Sequence, residues 1–315
     1  MKLKTLIDQY INYRRSLGEK IKMGEVYLRL FCRTIGEDIL LNKISKKQVS
    51  DFLFNKDTIT SGWFSKHTAL LGFYHYAISR GYINYSPLPI KIPKKLPTFI
   101  PYIYSRDELH RIFKFALIYK IKSSWGCIDP YMVRVILILL YCTGLRLSEA
   151  ISLKIEDVDL NLAIIKIYET KFYKSRLVPF GTELATVLTE YVIWRKRQGS
   201  PQNKESPFFI NRKKQPIFIN TMEYIFKRIC KIADIKRMDH IDRHPRMHDL
   251  RHTFAVHRLT SWYQEDADVQ ILLPILSTYM GHTQLSATSI YLTMTNDLLR
   301  EAGMRFEKYV TGDKR

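Results

Sequence analysis

Hydrophobic positions in the first third of the chain recur at the three-and-four-residue spacing that places them on one face of a helix. Leu6, Ile7, Tyr10 and Ile11 form the first set, Tyr27, Leu28, Leu30 and Phe31 the second, and Val49, Phe52 and Leu53 the third. A longer run over about 61–80 carries Trp63, Phe64, Leu70, Leu71, Phe73 and Tyr74, with Gly81 as its stop. The pattern predicts a small helical domain over residues 1–86. Pro87, Pro89, Pro93, Pro97 and Pro101 then crowd together with Lys91, Lys94 and Lys95. Proline fixes φ and restricts the residue before it, so 87–103 reads as an extended, semi-rigid, basic linker.

A second domain, 104–315, opens with Ser105 and Glu108 at capping-box spacing. An apolar helix over 132–141 is interrupted at Thr143-Gly144, and a further helix carries Arg146, Glu149 and Ile151. The period then changes. Residues 162–168 and 176–180 are rich in strand formers and flank 169–175, which predicts a hairpin with a basic tip. The remainder returns to helical spacing and closes on Leu298, Leu299, Ala302, Met304, Phe306 and Tyr309, an amphipathic helix suited equally to its own core or to a neighbouring subunit. The expected fold is mainly α, with one small antiparallel β-sheet in the second domain.

Composition narrows the partner. A hydrophobic fraction of 46% is ample for two cores, and a net charge of +20 points to a polyanion, because cations that neutralise phosphates release condensed counterions. Nucleic acid is the first candidate, and the basic linker suits either a clamp around a duplex or a plain surface connector. A membrane is disfavoured, since the longest apolar stretch, 135–142, falls far short of the roughly 20 residues a span requires. Lys2 and Lys4 lead straight into a pattern with Asp8 and Gln9, without a signal peptide's apolar run, so a cytoplasmic location is expected. The four cysteines, Cys32, Cys127, Cys142 and Cys230, form no CxxC pair and read as buried, reduced thiols. Neither a GxxxxGK[ST] loop nor an acidic cluster suited to two metals occurs, so no cofactor and no metal is expected.

Four segments carry the candidate chemistry: TGLRLSE over 143–149, TKFYKSRLVP over 170–179, HDLRHTFA over 248–255 and MGHTQLSATSIY over 280–291. In order and spacing they resemble the tyrosine recombinase, or phage integrase, family, with 104–296 similar to its catalytic domain and the first domain to its core-binding domain. The resemblance implies that Arg146 and Arg251 hold a scissile phosphate, Lys171 protonates the leaving oxygen, His248 and His282 assist, and Tyr291 attacks. It further implies double-stranded DNA as the nucleic acid bound, a homo-tetramer on synapsed sites, strand exchange through a 3′-phosphotyrosyl intermediate and a Holliday junction, and accessory DNA-binding proteins as possible partners. The biological settings compatible with it are a phage, integrative element or transposon on one side and Xer-type chromosome-dimer resolution on the other. The hairpin departs from the family's usual glycine-lysine-glycine, reading Thr170-Lys171-Phe172 here.

The residue types suit the reaction on chemical grounds. A guanidinium fork matches the non-bridging oxygens of a phosphate in a bidentate way that an ammonium cannot. A phenol with pKa near 10 needs a base and a positive field to attack, and a departing alkoxide needs a proton. Taken singly the signals are weaker. Arg146 outside its TGLR context reads as a surface arginine paired with Glu149, and Lys174 and Arg176 share the hairpin with Lys171 as candidate backbone-phosphate contacts. His240 and Arg243 repeat the HxxR spacing, and only Thr253-Phe254-Ala255 selects His248 and Arg251. His244, His252 and His257 crowd the same region, with His252 a candidate supporting member. Among 20 tyrosines, Tyr291 is singled out by following His282 by nine residues, and Tyr279 reads as packing. The basic segment 237–246 is a further candidate DNA contact. A non-catalytic DNA-binding protein and a type IB topoisomerase are the competing functions; six filled positions argue against the first, the short motifs and separate first domain against the second.

Overall fold

The computed structural model describes residues 1–19, 21–54, 59–94, 100–119, 128–168, 175–237, 244–282, 284–293 and 296–311. The chain forms two compact units, Met1–Phe99 and Ile100–Arg315. The first holds α1 (Leu3–Ser16), α2 (Lys22–Ile35), α3 (Lys46–Leu53) and α4 (Ser61–Ser79). Each presents the face that its spacing foretold: Leu6, Ile7, Tyr10, Phe31, Phe52, Trp63 and Phe73 meet in one core. Leu30 instead points outward. Ser45 accepts from the Gln48 backbone while the Gln48 side chain accepts from the Ser45 amide, so two orphan donors at the start of α3 are satisfied reciprocally. Leu88, inside the proline-rich stretch, is buried in this same core.

The second unit begins with α5 (Arg106–Phe115), whose Ser105–Glu108 capping box is formed. It continues through α6 (Pro130–Thr143) and α7 (Leu147–Ile151) into a three-stranded antiparallel sheet in the order β1 (Val158–Asp159), β2 (Ile164–Ile167), β3 (Arg176–Pro179). In the β2–β3 register Ile165 faces Val178 and Ile167 faces Arg176. Ile165, Ile167 and Val178 are buried while Leu177 is exposed, the period-two alternation of a one-sided sheet. β1 is only two residues long, too short to leave a pattern of its own. The hairpin tip at 169–174, with Lys171 and Lys174, lies outside the described residues.

Helices α8 (Thr182–Arg197), α9 (Ile219–Ile232), α10 (Asp249–Gln264), α11 (Val269–Met280), α12 (Ser286–Ser289) and α13 (Asn296–Thr311) complete the unit, with a 3₁₀ turn at Ile290–Thr293 between the last two. The helix α10 is the organising element. Its Leu250 joins the large core that also holds Val135 and Ile136 of α6, while Phe254, Ala255 and Leu259 build a second core with Leu273 and Leu276 of α11, Tyr291, and Leu298 of α13. Thr253 Oγ1 accepts from the Tyr104 amide at 3.0 Å and donates to the Asp249 carbonyl at 2.8 Å, pinning the start of the domain to α10. The helix α13 therefore packs on its own chain, with Arg305 donating to the Ala267 carbonyl at 2.6 Å. Leu299, Met304 and Phe306 face outward from it.

Candidate active site

Two glycines fix the floor of the site. Gly144 ends α6 at φ +61°, and an added Cβ would stand 2.5 Å from the Phe254 ring. Gly281 ends α11 at φ +71°, where a Cβ would meet the Arg176 guanidinium at 2.8 Å. Both positions combine a left-handed backbone with close approach, which glycine alone meets without strain. The freed carbonyls are acceptors. Arg251, 3% exposed, donates to Gly144 O at 2.5 Å and Met280 O at 2.7 Å. Arg146 donates to Gly281 O at 3.2 Å, so both guanidiniums are anchored on adjacent carbonyls at one corner. Burial, and then the charge of Arg146, pulls the Arg251 pKa down to about 10.

Arg146 is held from behind by Glu149, at 2.7 Å. The same carboxylate receives a two-pronged fork from Arg176, at 3.1 and 2.8 Å, and Arg176 Nε donates to Tyr279 O at 2.8 Å. The Arg176 and Glu149 side chains are each 8% exposed. Burial pushes the Glu149 carboxyl up, but Arg176 and Arg146 outweigh it and hold the pKa at about 2. Removing either member of such a buried pair strands a charge at a cost of about 3–5 kcal/mol. Arg176 thus faces inward and braces β3 against the arginine corner.

The nucleophile candidate sits opposite. Tyr291 lies in the 3₁₀ turn before α13, 2% exposed, with its phenol oxygen 3.1 Å from His252 Nδ1. The His282 ring lies nearly parallel to it at 6.2 Å, and His282 Nδ1 is 2.6 Å from Thr288 Oγ1. His248, at the start of α10, packs edge-to-face on His252 at 4.9 Å. Burial raises the Tyr291 phenol above its usual range, against the lowering pull of Arg251. Burial is also the main cause depressing the three imidazoles, aided by the arginines: His248 to about 4, His252 to about 3 and His282 to about 4. All three are neutral at pH 7, with a ring nitrogen available as an acceptor.

A family model described as the phage integrase family matches residues 105–297. The chain belongs to the phage integrase family. A putative integrase/recombinase y4rB of Sinorhizobium fredii is 30% identical over 304 residues, covering 96% of both chains. The tyrosine recombinase XerC of Pediococcus pentosaceus is 26% identical, covering 98% of both. Among solved structures, the Tn1549 transposon integrase in complex with transposon right end DNA shares the fold at a TM-score of 0.70 and 16% identity, covering 98% of this chain and 99% of that one. A lambda integrase tetramer bound to a Holliday junction shares it at 0.67 and 15%, covering 95% and 78%.

In this phage integrase family chain, five of the six residues singled out from sequence fall around one corner: Arg146, His248, Arg251, His282 and Tyr291. The sixth, Lys171, lies outside the described residues, as do His240 and Arg243. Two expectations change. Arg176 turns away from solvent to Glu149, which removes it as a candidate phosphate contact. His252, expected only in support, is the imidazole that meets the Tyr291 hydroxyl. The helical pitch held the signal, because residue 252 lies one turn beyond His248 on α10. Tyr279 stacks on Phe254 and donates to the Pro179 carbonyl at 2.9 Å, a packing role. Of the segment 237–246, residues 238–243 lie outside the described residues, while Arg237 donates to the Ile100 carbonyl and Arg246 to Asp249. Among the described residues no helix is long and apolar enough to cross a membrane, and no cluster of three or more His, Cys, Asp or Glu is placed to hold a metal.

The depressed histidines have a measurable consequence. As pH falls below 6.5 the unfolded chain binds protons at these imidazoles while the folded chain refuses them, so stability is lost between about pH 6.5 and pH 4. Glu149 works on a lower window: its contribution is complete above its ordinary 4.5 and lost toward about 2. Urea unfolding followed at steps from pH 7 to pH 4 is expected to show the first decline, shallower in His248→Asn; a flat profile would contradict the burial of neutral histidines.

Proposed function

We propose that the chain is a site-specific DNA recombinase that cuts and rejoins duplex DNA through Tyr291, without a cofactor. The observation that carries this reading is the convergence of two guanidiniums, from Arg146 and Arg251, with an imidazole-contacted phenol at Tyr291. Arg146 and Arg251 bind the non-bridging oxygens of the scissile phosphate. The Tyr291 oxygen forms a bond to phosphorus, the bond to the 5′ oxygen breaks, and Lys171 supplies the proton that the departing oxygen takes. The product is a 3′-phosphotyrosine, whose retained bond energy drives rejoining to a second 5′ hydroxyl. His248 and His282 flank the phosphate as hydrogen-bonding partners. The first unit adds a second contact to the duplex, favoured by the chain's net charge of +20.

Full exchange requires four active sites on two paired duplexes, so the working species is a homo-tetramer on synapsed sites, passing through a Holliday junction. Likeness over nearly full length to a putative integrase/recombinase and to the fold of a transposon integrase favours integration or excision of a mobile element. The comparable coverage of a XerC protein supports chromosome-dimer resolution as the second reading. The test is covalent trapping: nicked duplexes tiled across the DNA flanking its gene are incubated with the protein in excess EDTA, and linked peptides are mapped by mass spectrometry. A 3′-phosphate on Tyr291 is the expected product. Tight binding with no adduct on any duplex, or an adduct at another residue, overturns the reading.

A further inference from the structure

Two imidazoles, His252 and His282, pack against the Tyr291 ring and a third, His248, packs on His252, and they are not equivalent. His282 Nδ1 is engaged by Thr288 Oγ1 at 2.6 Å. His248 presents its ring to His252 rather than to the tyrosine, and among the described residues no hydrogen bond joins it to Tyr291. His252 Nδ1 alone of the three stands at hydrogen-bond distance from the phenol oxygen, 3.1 Å, within the reach a proton acceptor needs. With the Tyr291 hydroxyl as the donor, the Nδ1 of His252 carries the lone pair and its proton resides on Nε2. In this arrangement the O–H bond points at His252 and the oxygen lone pairs remain for phosphorus.

Resting on the assignment of Tyr291 as nucleophile, we infer that His252 is a catalytic residue, the base that takes the Tyr291 proton during cleavage. As the Tyr291 oxygen bonds to phosphorus, its proton passes to His252 Nδ1, the imidazole becomes a cation, and the 5′ oxygen departs with a proton from Lys171. Charge balances within the site: the phosphate brings the anion that the new imidazolium answers, and rejoining returns the proton to the phenol. His252 is half-buried one helical turn after His248 on α10 and next to Arg251, so the helix that places the phosphate clamp also sets the base. The groups facing it are His248, Arg246, Arg251 and His282, all basic. Without phosphate, burial first and then these charges suppress protonation of His252; bound phosphate offsets the part due to the charges.

The test uses the full chain and a nicked duplex on which the parent forms its adduct. His252→Asn, which keeps a hydrogen-bond acceptor near the Nδ1 position but cannot take the proton, is expected to form adduct about a hundred- to ten-thousand-fold more slowly while binding the duplex normally. A fluorinated tyrosine at position 291, whose more acidic phenol needs less help, is expected to restore at least tenfold in His252→Asn and to change the parent little. Parental or faster adduct formation in His252→Asn overturns the inference, as does a His252→Asn defect that the fluorinated tyrosine leaves untouched, which would mark a residue that only positions the ring. The same rescue seen in His248→Asn and absent in His252→Asn would move the role to His248. A parental adduct mapped away from Tyr291 would instead refute the nucleophile assignment itself.

Discussion

Tyr291→Phe is expected to bind its DNA with the affinity of the parent and to form no covalent adduct at all. The change removes one oxygen and leaves the ring, which is packed with Leu298, Phe254 and Leu273 in the core under the site. The fold loses the bond to His252 Nδ1, worth about 0.5–1.5 kcal/mol, and the phenol's interaction with the Arg251 guanidinium. Reaction loses its nucleophile, and among the described residues no other phenol is placed to substitute. Tyr279 is the sharpest control, since its hydroxyl is spent on the Pro179 carbonyl and burial drives its pKa up to about 12. Tyr279→Phe should therefore still form adduct. Trapping gels with end-labelled nicked duplex check both variants at once, and an adduct persisting in Tyr291→Phe removes the residue from the mechanism.

Arg251→Lys is expected to slow cleavage by about a hundred- to a thousand-fold, the loss typical of removing one donor aimed at developing charge. The guanidinium spans two carbonyls, Gly144 O and Met280 O, and still has N–H groups to offer a phosphate. An ammonium cannot bridge both carbonyls and also chelate two phosphate oxygens. The substitution strips one buried carbonyl of its partner, so a stability loss of about 1–3 kcal/mol should accompany the catalytic one. Single-turnover cleavage measured below the variant's unfolding temperature, alongside a binding titration, separates the two. Equal losses in binding and cleavage would make Arg251 an ordinary ground-state contact rather than a transition-state clamp.

The helices of both units were legible because their buried faces are long and periodic, as in Leu3, Leu6, Ile7, Tyr10 and Ile11 of α1. β1 was not, because two residues carry no alternation. The arginine corner could be read because its residues sit in short motifs whose other members turn out to be structural: Thr253 pins the domain's start, and Phe254 fills the space above Gly144. The partners of a side chain were harder. Arg176 looks like a free cation on a basic hairpin, and only the chain's return brings Glu149 and the Tyr279 carbonyl to it across 27 and 103 residues of sequence. His252 was overshadowed for the opposite reason. Five histidines lie between 240 and 257, and nothing in their spacing says which one the Tyr291 turn, some 39 residues later, will meet.

The left-handed glycines at 144 and 281 also explain how two cations can be kept close together without losing their use. Each closes a long helix, α6 or α11, and the carbonyls that hold the guanidiniums belong to those C-terminal ends. Such ends carry about half a negative charge from the aligned peptide dipoles. Among the described residues no carboxylate pairs with Arg251. A carboxylate there would have to be displaced before phosphate could bind; a dipole end steadies the cation yet leaves its net charge for the incoming anion. Around Arg251 the corner is thus an electrostatic socket held by backbone carbonyls, one that only a substrate's own charge completes.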